Sequence, residues 1–290
     1  MSGQLRTLKN RIRGVESTQK ITRAMEMVAA SKLKRFQRLR DEATPYVQAL
    51  EGVLNRLLGS DIPPQHPLLE SREEKKTALL VITSDTGLCG SYNHGLISAA
   101  QKFLAGSSAA PLLIGVGKTG VNALARAGHT CHRAFTDTKT SQLESVIAET
   151  TSLVENLFME KKADAIHAVY SHFTGKYVYA ATTEKILPFH LKPNGDFDFP
   201  GETGSPYIME PSREALFHRL IPLVFAAKVR MLFMESMVAE QMARMNAMSQ
   251  ATENANELVD TLVLLRNKMR QAAITNELIE IVSGSRALKQ

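Results

Sequence analysis

The chain has 290 residues, of which 44% are hydrophobic and 22% are charged, and its formal net charge is +6. This composition excludes a chain that is disordered as a whole, and the length allows one or two domains. No stretch of the sequence approaches the roughly 18 uncharged apolar residues that a membrane-spanning helix needs. The opening residues, MSGQLRTLKNRIRG, have no apolar segment of the secretory type, so we expect no cleaved leader.

Positive charge is concentrated at the N-terminal end. Residues 1–40 contain eleven Lys or Arg and two acidic residues, whereas residues 41–210 are net negative. This density predicts either an acidic partner (nucleic acid, a membrane surface or an acidic protein surface) or an ordinary solvated helix face. Phe36 is the only aromatic residue among these forty, which argues against nucleic acid because base stacking needs aromatic side chains.

The first segment, residues 1–58, is predicted to be one long helix. Pro45 is its only proline and a candidate kink. The positions that recur at spacings of three and four, and so share a helix face, are Leu5, Leu8, Ile12, Val15, Thr22, Met25, Ala29, Lys32, Phe36 and Leu39.

The last segment, residues 211–290, is predicted to be a second long helix, since neither Pro nor Gly occurs between Pro222 and Gly284. Pro211 and Ser212 indicate an early helix start. Pro222 then either kinks that helix or lies in the first turn of the long one. A 4-3 heptad series follows at Leu258, Leu262, Leu265, Met269, Ala272, Asn276 and Ile279.

Residues 76–200 alternate apolar runs with helical patterns, which predicts a Rossmann-like, mostly parallel α/β sheet. The strand candidates are TALLVITS, APLLIGVG, HTCHRAF, AIHAVYSHF and KYVYAATTEKILPF, and the helix candidates are GLISAAQKFLA, GVNALARA and SQLESVIAETTSLVENLFMEK. Pro-rich connections at 59–76 and 193–211 bound this domain. We therefore expect an α/β domain inserted between two terminal helices, which pair as an antiparallel coiled coil and leave one end unpaired.

One glycine motif suggests a second class of function. Gly115, Gly117 and Gly120 form G-x-G-x-x-G between a strand and a helix, and Asp137 follows twenty residues after Gly117, as in dinucleotide-binding turns. The alternatives are a dinucleotide-dependent oxidoreductase and a plain strand-to-helix turn. A Walker pattern fails because position 112 is leucine.

Other chemically suggestive residues have a structural interpretation as well. Cys89 lies in a glycine-rich turn and is either a nucleophile or a buried structural thiol. His129 and His132 do not have metal-ligand spacing. The methionines between 231 and 248 form a stripe, which is either core or an adaptable contact surface.

Three segments together resemble one family. Gln19–Arg35 (QKITRAMEMVAASKLKR), Ser84–Asn93 (SDTGLCGSYN) and Glu240–Gly284 are similar to the gamma subunits of F-type ATP synthases, in order and across essentially the whole chain. The resemblance implies a non-catalytic rotor without a cofactor, in a bacterial complex on the cytoplasmic face of the plasma membrane. Its terminal helices would turn inside a ring of three alpha and three beta subunits. Its α/β domain would contact the epsilon subunit and the membrane c-ring.

The resemblance also implies interface residues, each of which is otherwise an ordinary solvated or coiled-coil residue. The residues expected to face the beta ring are Lys20, Arg23, Met25, Arg244, Arg270, Gln271, Thr275 and Glu277. Tyr92 and Asn93 are expected to help hold the α/β domain against epsilon or the c-ring.

Overall fold

The structure is a computed structural model that describes residues 2–58, 65–107, 109–173, 179–189 and 210–287. The helices and strands of these residues follow one another in chain order: α1 Ser2–Leu58, β1 Thr77–Ile82, α2 Tyr92–Gly106, β2 Leu112–Val116, α3 Lys118–Arg126, β3 Arg133–Phe135, α4 Leu143–Met159, β4 Ala165–Phe173, β5 Tyr179–Leu187 and α5 Arg213–Ala287. Short 3₁₀ turns lie at Pro67–Leu69 and Thr140–Gln142. Of the two predicted connections, residues 59–64 and 193–209 lie outside the described residues.

The chain divides into two compact units. One contains residues 1–30 and 244–290, and the other contains residues 31–243. We call them the helix-pair unit and the sheet unit. Helices α1 and α5 each contribute residues to both units.

The sheet unit holds a five-stranded sheet in the order β3-β2-β1-β4-β5. All neighbouring strands are parallel except β4 and β5, which are antiparallel. The central strand β1 is buried from Ala78 to Ile82, as an apolar run in a sheet covered on both faces requires. Leu79 and Val81 pack with Leu96 of α2 and Leu124 of α3. The predicted mostly parallel α/β sheet is confirmed.

Both long helices run through a proline. Helix α1 is continuous through Pro45. Helix α5 begins at Arg213 and continues through Pro222, so the early helix start and the long helix belong to one element. The Ser212 hydroxyl accepts the Ala215 N–H at 3.2 Å, which confirms Ser212 as the N-cap.

In the helix-pair unit, α1 and α5 are antiparallel. Thr22 and Thr252 share a hydrogen bond at 2.7 Å, and Gln19 donates to Asn256. Toward the beginning of α1, Leu8 and Ile12 form a buried cluster with Leu262. Residue numbers therefore fall along one helix as they rise along the other, and the predicted antiparallel coiled coil is confirmed.

The predicted heptad series of α5 is wrong at five of its seven positions, which are exposed: Leu258, Leu265, Ala272, Asn276 and Ile279. Leu262 is buried and Met269 packs on its cluster, but Leu258 and Leu265 are 40% and 45% exposed. The buried and half-buried positions follow another 4-3 series: Met248, Thr252, Ala255, Val259, Leu262, Arg266, Met269 and Ala273. The two series share Leu262 and Met269 and elsewhere differ by one residue, as at Leu258 and Val259. The position of α1 selects one of them.

The predicted seam positions Asn276 and Ile279 are exposed for a second reason. Leu8 and Ile12 are already level with Leu262, so α1 ends before it reaches this part of α5. On α1 the seam prediction is wrong at Lys32, where the neighbouring Leu33 is buried instead. It is correct at Leu8, Ile12, Thr22, Ala29 and Phe36.

Replacing Leu262 by alanine should destabilise the helix pair by about 2–3 kcal/mol, because it removes a buried leucine and leaves a cavity. Leu265→Ala is the matched control and should cost less than about 0.5 kcal/mol at its more exposed position. Chemical denaturation of the full chain, followed by circular dichroism, measures both. Equal losses would contradict the observed seam.

Candidate functional site

The glycine motif packs against Thr83, which directly follows β1. The Thr83 hydroxyl donates to the Val116 carbonyl at 2.9 Å and accepts the Gly120 N–H at 3.0 Å. Gly117 has φ +91°, and a Cβ there would lie 2.2 Å from the Thr83 carbonyl oxygen. A Cβ at Gly120 would lie 2.4 Å from the Thr83 hydroxyl. Close packing against Thr83 therefore accounts for glycine at positions 117 and 120 without a bound ligand.

The N-terminus of α3, where such a turn would bind phosphate, is occupied by a side chain of the chain itself. Asp85 Oδ1 accepts the backbone N–H groups of Lys118 and Asp137, each at 2.9 Å. Asp85 Oδ2 accepts the Thr138 N–H at 2.9 Å. The Lys118 ammonium pairs with the Asp137 carboxylate at 3.3 Å. A carboxylate already satisfies this helix end, so the geometry does not support the oxidoreductase alternative.

Cys89 is a structural thiol in the turn after β1. It is buried, and the Asn93 side-chain amide lies 3.2 Å from its sulfur. The same Asn93 accepts the Ser84 N–H at 3.1 Å and exchanges hydrogen bonds with the Ser84 hydroxyl. Burial raises the pKa of the second thiol, Cys131, which disfavours its thiolate. The burial and hydrogen bonding of Cys89 favour its structural interpretation.

The carboxyl ends of β1 and β4 mark the point where the strand order reverses, the usual ligand crevice of an open α/β sheet. In this chain α5 contributes to that crevice. The Tyr92 hydroxyl donates to the Ser236 carbonyl at 3.1 Å, and the Ser171 N–H donates to the Ser236 hydroxyl at 3.3 Å. His172 Nδ1 lies 2.7 Å from the Glu235 carboxylate. The position that usually binds a ligand is used to hold the C-terminal helix.

The methionine stripe of α5 contributes to the cores of both units. Met234 and Met242 are buried in the sheet unit, and Met248 is buried in the helix-pair unit. The core interpretation of the stripe therefore holds at these three positions.

A cleft of about 650 Å³ lies beside the first 3₁₀ turn and is lined by Gln65, His66, Pro67, Leu69, Glu70 and His218. Burial and the neighbouring His218 lower the pKa of His66. His66 Nδ1 accepts the Leu68 N–H at 3.1 Å, so in its neutral form this ring carries its proton on Nε2 and has no free nitrogen lone pair for a metal. No group of three or more His, Cys, Asp or Glu in the described part of the chain is arranged to hold a metal ion.

The N-terminal interface candidates lie on α1 in the helix-pair unit. Lys20 and Arg23 are exposed, and Met25 is half-buried. Ile21 and Val28 lie four residues before and three after Met25, on the same side of the helix, and are 57% and 56% exposed. These two exposed apolar residues were not among the sequence candidates. The sequence signal that identifies Ile21 and Val28 is their apolar character at positions outside the predicted buried series of α1.

The C-terminal candidates form an exposed group on α5: Arg270, Gln271, Thr275 and Glu277. The Thr275 hydroxyl donates to the Gln271 carbonyl at 3.0 Å, which keeps this side chain against its own helix. Ile274 and Leu278 lie among these polar residues and are more than half exposed. This face of α5 therefore combines polar and apolar contact groups without cover from the described part of α1.

Two other candidates are buried. Arg244 and Asn93 are each 8% exposed, and Asn93 bonds to the turn after β1. Because Thr22 lies opposite Thr252, Arg244 lies toward the same end of the helix pair as Met25. The exposed C-terminal group lies toward the other end.

A family model described as ATP synthase matches residues 4–288. The ATP synthase gamma chain of Moorella thermoacetica is 37% identical over 289 residues, which cover 98% of this chain and 99% of that one. The chain belongs to the ATP synthase gamma-chain family. The gamma chain of Geobacter sp. strain M21 is 38% identical, over 98% of this chain and 99% of its own length.

Solved structures show the same fold. A chain of the Euglena gracilis mitochondrial ATP synthase, in a structure described as OSCP/F1/c-ring, aligns over 99% of this chain and 95% of its own length with a TM-score of 0.65 and 19% identity. A chain of the Tetrahymena thermophila central stalk and c-ring structure aligns over 80% of this chain and 99% of its own length, with a TM-score of 0.55 and 24% identity. In the part of this gamma-family chain that the structure describes, no helix is long and apolar enough to span a membrane.

Proposed function

We propose that this chain is the central-stalk rotor of an F-type ATP synthase, which couples transmembrane ion flow mechanically to ATP synthesis or hydrolysis. The observation that carries the proposal is the match to curated gamma chains over 98% of the chain, including both helical ends. The antiparallel pairing of these two ends in one unit supports it, because two wound helices make a stiff element.

The chain itself is proposed to be non-catalytic. One feature of the turn after β2 supports this: the Asp85 carboxylate caps the N-terminus of α3, the helix end that would bind phosphate. The nucleotide sites then belong to the beta subunits and their alpha neighbours. Each rotor orientation favours a different nucleotide affinity in the nearest beta subunit, which is a population shift driven by differential contacts.

The proposed partners are three alpha and three beta subunits, the epsilon subunit and the membrane c-ring. Membrane association is proposed to be peripheral, through the complex, at the cytoplasmic face of a bacterial plasma membrane. The family assignment supports membership of such a complex.

The proposed contacts with the beta ring use two groups of residues in the helix-pair unit. One comprises Lys20, Arg23 and Met25, with Arg244 toward the same end, and the other comprises Arg270, Gln271, Thr275 and Glu277. Exposed apolar side chains beside both groups support this assignment, since interfaces concentrate their binding energy in a few residues. Tyr92 and Asn93 remain proposed to support the α/β domain against epsilon or the c-ring.

A tagged pull-down from native membranes tests the function. ATPase activity is measured on the eluate and on the purified chain alone. We expect an active eluate that contains two larger nucleotide-binding subunits, and an inactive bare chain. A chain recovered alone, without associated ATPase, contradicts the proposal.

Replacing Met25 by lysine should uncouple the complex more than it impairs assembly. The new cation would pair with a carboxylate of the beta subunit that it is proposed to face, and about 1.4 kcal/mol of extra attraction would favour one rotor orientation about tenfold. The readout is ATP-driven ion pumping divided by ATP hydrolysis in membrane vesicles. Met27→Lys is the matched control, because Met27 is 62% exposed and points to a different side of α1. Unchanged pumping by the Met25 variant, at normal assembly, contradicts the placement of this residue.

A further inference from the structure

Helix α5 is enclosed where it passes through the sheet unit. From Phe233 to Met242 nearly every side chain is buried, including the polar Ser236, which is 0% exposed. Within this stretch, Glu235 and Ser236 bond to the carboxyl edge of the sheet. A fully buried serine in a long helix needs a reason, because a hydroxyl contributes little to an apolar core unless it is hydrogen-bonded.

The contacts at this edge come from two separate parts of the sheet unit. Tyr92, at the start of α2, donates to the Ser236 carbonyl at 3.1 Å. From β4, the Ser171 N–H donates to the Ser236 hydroxyl at 3.3 Å, and His172 lies 2.7 Å from Glu235. The same turn of α5 is therefore held from two directions.

Close-packed apolar side chains resist turning or sliding of a helix in its groove, and directional contacts add to that resistance. The hydrophobic effect has no directional preference, and buried methionines such as Met234 adapt to many packings. Hydrogen bonds weaken steeply when their angle or length changes. The contacts of Glu235 and Ser236 therefore add a directional constraint on the rotational position of α5 against the sheet.

We propose that five residues form a torsion joint, a set of directional contacts that transmits torque between the sheet and helix α5. These residues are Tyr92, Ser171, His172, Glu235 and Ser236. This inference rests on the proposed rotor function and adds positioning residues to it. Torque applied to the sheet has to pass into α5. The directional contacts of the joint resist rotation of α5 relative to the sheet.

The test measures torsional stiffness in the assembled complex. The alpha and beta ring is fixed to a surface, and a bead is attached through Arg126→Cys, an exposed position on α3. Cys131→Ala removes the half-buried second thiol, and Cys89 is buried. The angular variance of the bead is recorded while the motor waits for ATP.

Tyr92→Phe combined with His172→Leu removes two of these contacts, and we expect the angular variance to rise about twofold, since each bond resists rotation separately. His172→Gln in place of His172→Leu retains a donor toward Glu235 and should restore most of the stiffness. Tyr46→Phe, which removes the hydroxyl of an exposed tyrosine on α1, is the control and should change nothing.

Wider angular variance with rescue by glutamine supports the joint. Unchanged variance in the double variant overturns it, even if thermal stability falls, and so does an equal effect of Tyr46→Phe. A wild-type chain that neither joins the ring nor rotates overturns the proposed function and this inference with it.

Discussion

Replacing Gly117 by alanine should destabilise the sheet unit by about 3–5 kcal/mol, which combines backbone strain of about 1–3 kcal/mol with an overlap cost of similar size. The backbone has φ +91° at this position, a conformation that residues with a side chain rarely adopt. The new Cβ would also lie 2.2 Å from the Thr83 carbonyl oxygen, which belongs to backbone and cannot rotate away. Urea denaturation of the full chain, followed by tyrosine fluorescence, measures the loss.

Three other glycines separate these two causes. Gly128 has φ +88° and open space, so Gly128→Ala tests strain alone and should cost about 1 kcal/mol. Gly120→Ala tests the overlap with Thr83 without a positive φ. Gly87 has neither feature, and its alanine variant should be neutral within about 0.5 kcal/mol. If Gly117→Ala lowers the free energy of unfolding no more than Gly128→Ala does, the close approach of Gly117 to Thr83 contributes nothing to the loss.

Replacing Asp85 by alanine should cost about 2–3 kcal/mol, because three backbone N–H groups lose a charged acceptor and water replaces only part of that bonding. These N–H groups belong to Lys118, Asp137 and Thr138, in the segments that follow β2 and β3. One carboxylate therefore ties the ends of three neighbouring strands together. Thermal unfolding of the full chain should show a lower midpoint for the sheet unit.

Asp85→Asn tests the separate contributions of the two carboxylate oxygens of Asp85 to stability. An amide that keeps its oxygen at the Oδ1 position still accepts from Lys118 and Asp137, but its NH₂ group then faces the Thr138 N–H. We expect an intermediate loss of stability. Asp137→Asn is the control, since its ion pair with Lys118 is exposed and worth at most about 1 kcal/mol. If Asp137→Asn lowers the stability as much as Asp85→Ala does, the surface ion pair between Lys118 and Asp137 stabilises the sheet unit, and the Asp85 hydrogen bonds do not.

The strands were predictable because each is a short apolar run between turn residues. TALLVITS contains β1, and AIHAVYSHF coincides with β4 from Ala165 to Phe173. The long α5 was predictable because no glycine interrupts the stretch from Pro222 to Gly284. Its continuity through Pro222 was left open by the sequence. A proline removes one backbone hydrogen bond, and burial of the neighbouring Ile221 and Val224 offsets that loss.

The functional alternatives were separated partly by sequence and partly by structure. The family resemblance is carried by linear motifs at both ends, and the comparisons bear it out. The glycine motif is the opposite case, because a turn that cradles phosphate and a turn that packs on Thr83 need the same small residues. Parallel pairing of β1 with β2 brings Thr83 beside the glycines, where its hydroxyl donates to the Val116 carbonyl. The linear spacing of the motif contains no sign of that contact.

Local patterns in the chain were sufficient to identify the elements and the family of this protein, because periodicity, capping residues and long motifs involve residues close in sequence. Three further matters depended on the folded chain: which of two overlapping heptad series is buried, what fills the glycine turn, and that Glu235 and Ser236 hold α5 to the sheet edge. Each of these three outcomes depends on a contact with a residue that is distant in sequence and belongs to another helix or strand. Contacts of this kind are set by packing and hydrogen-bond geometry in three dimensions, and no linear pattern encodes them.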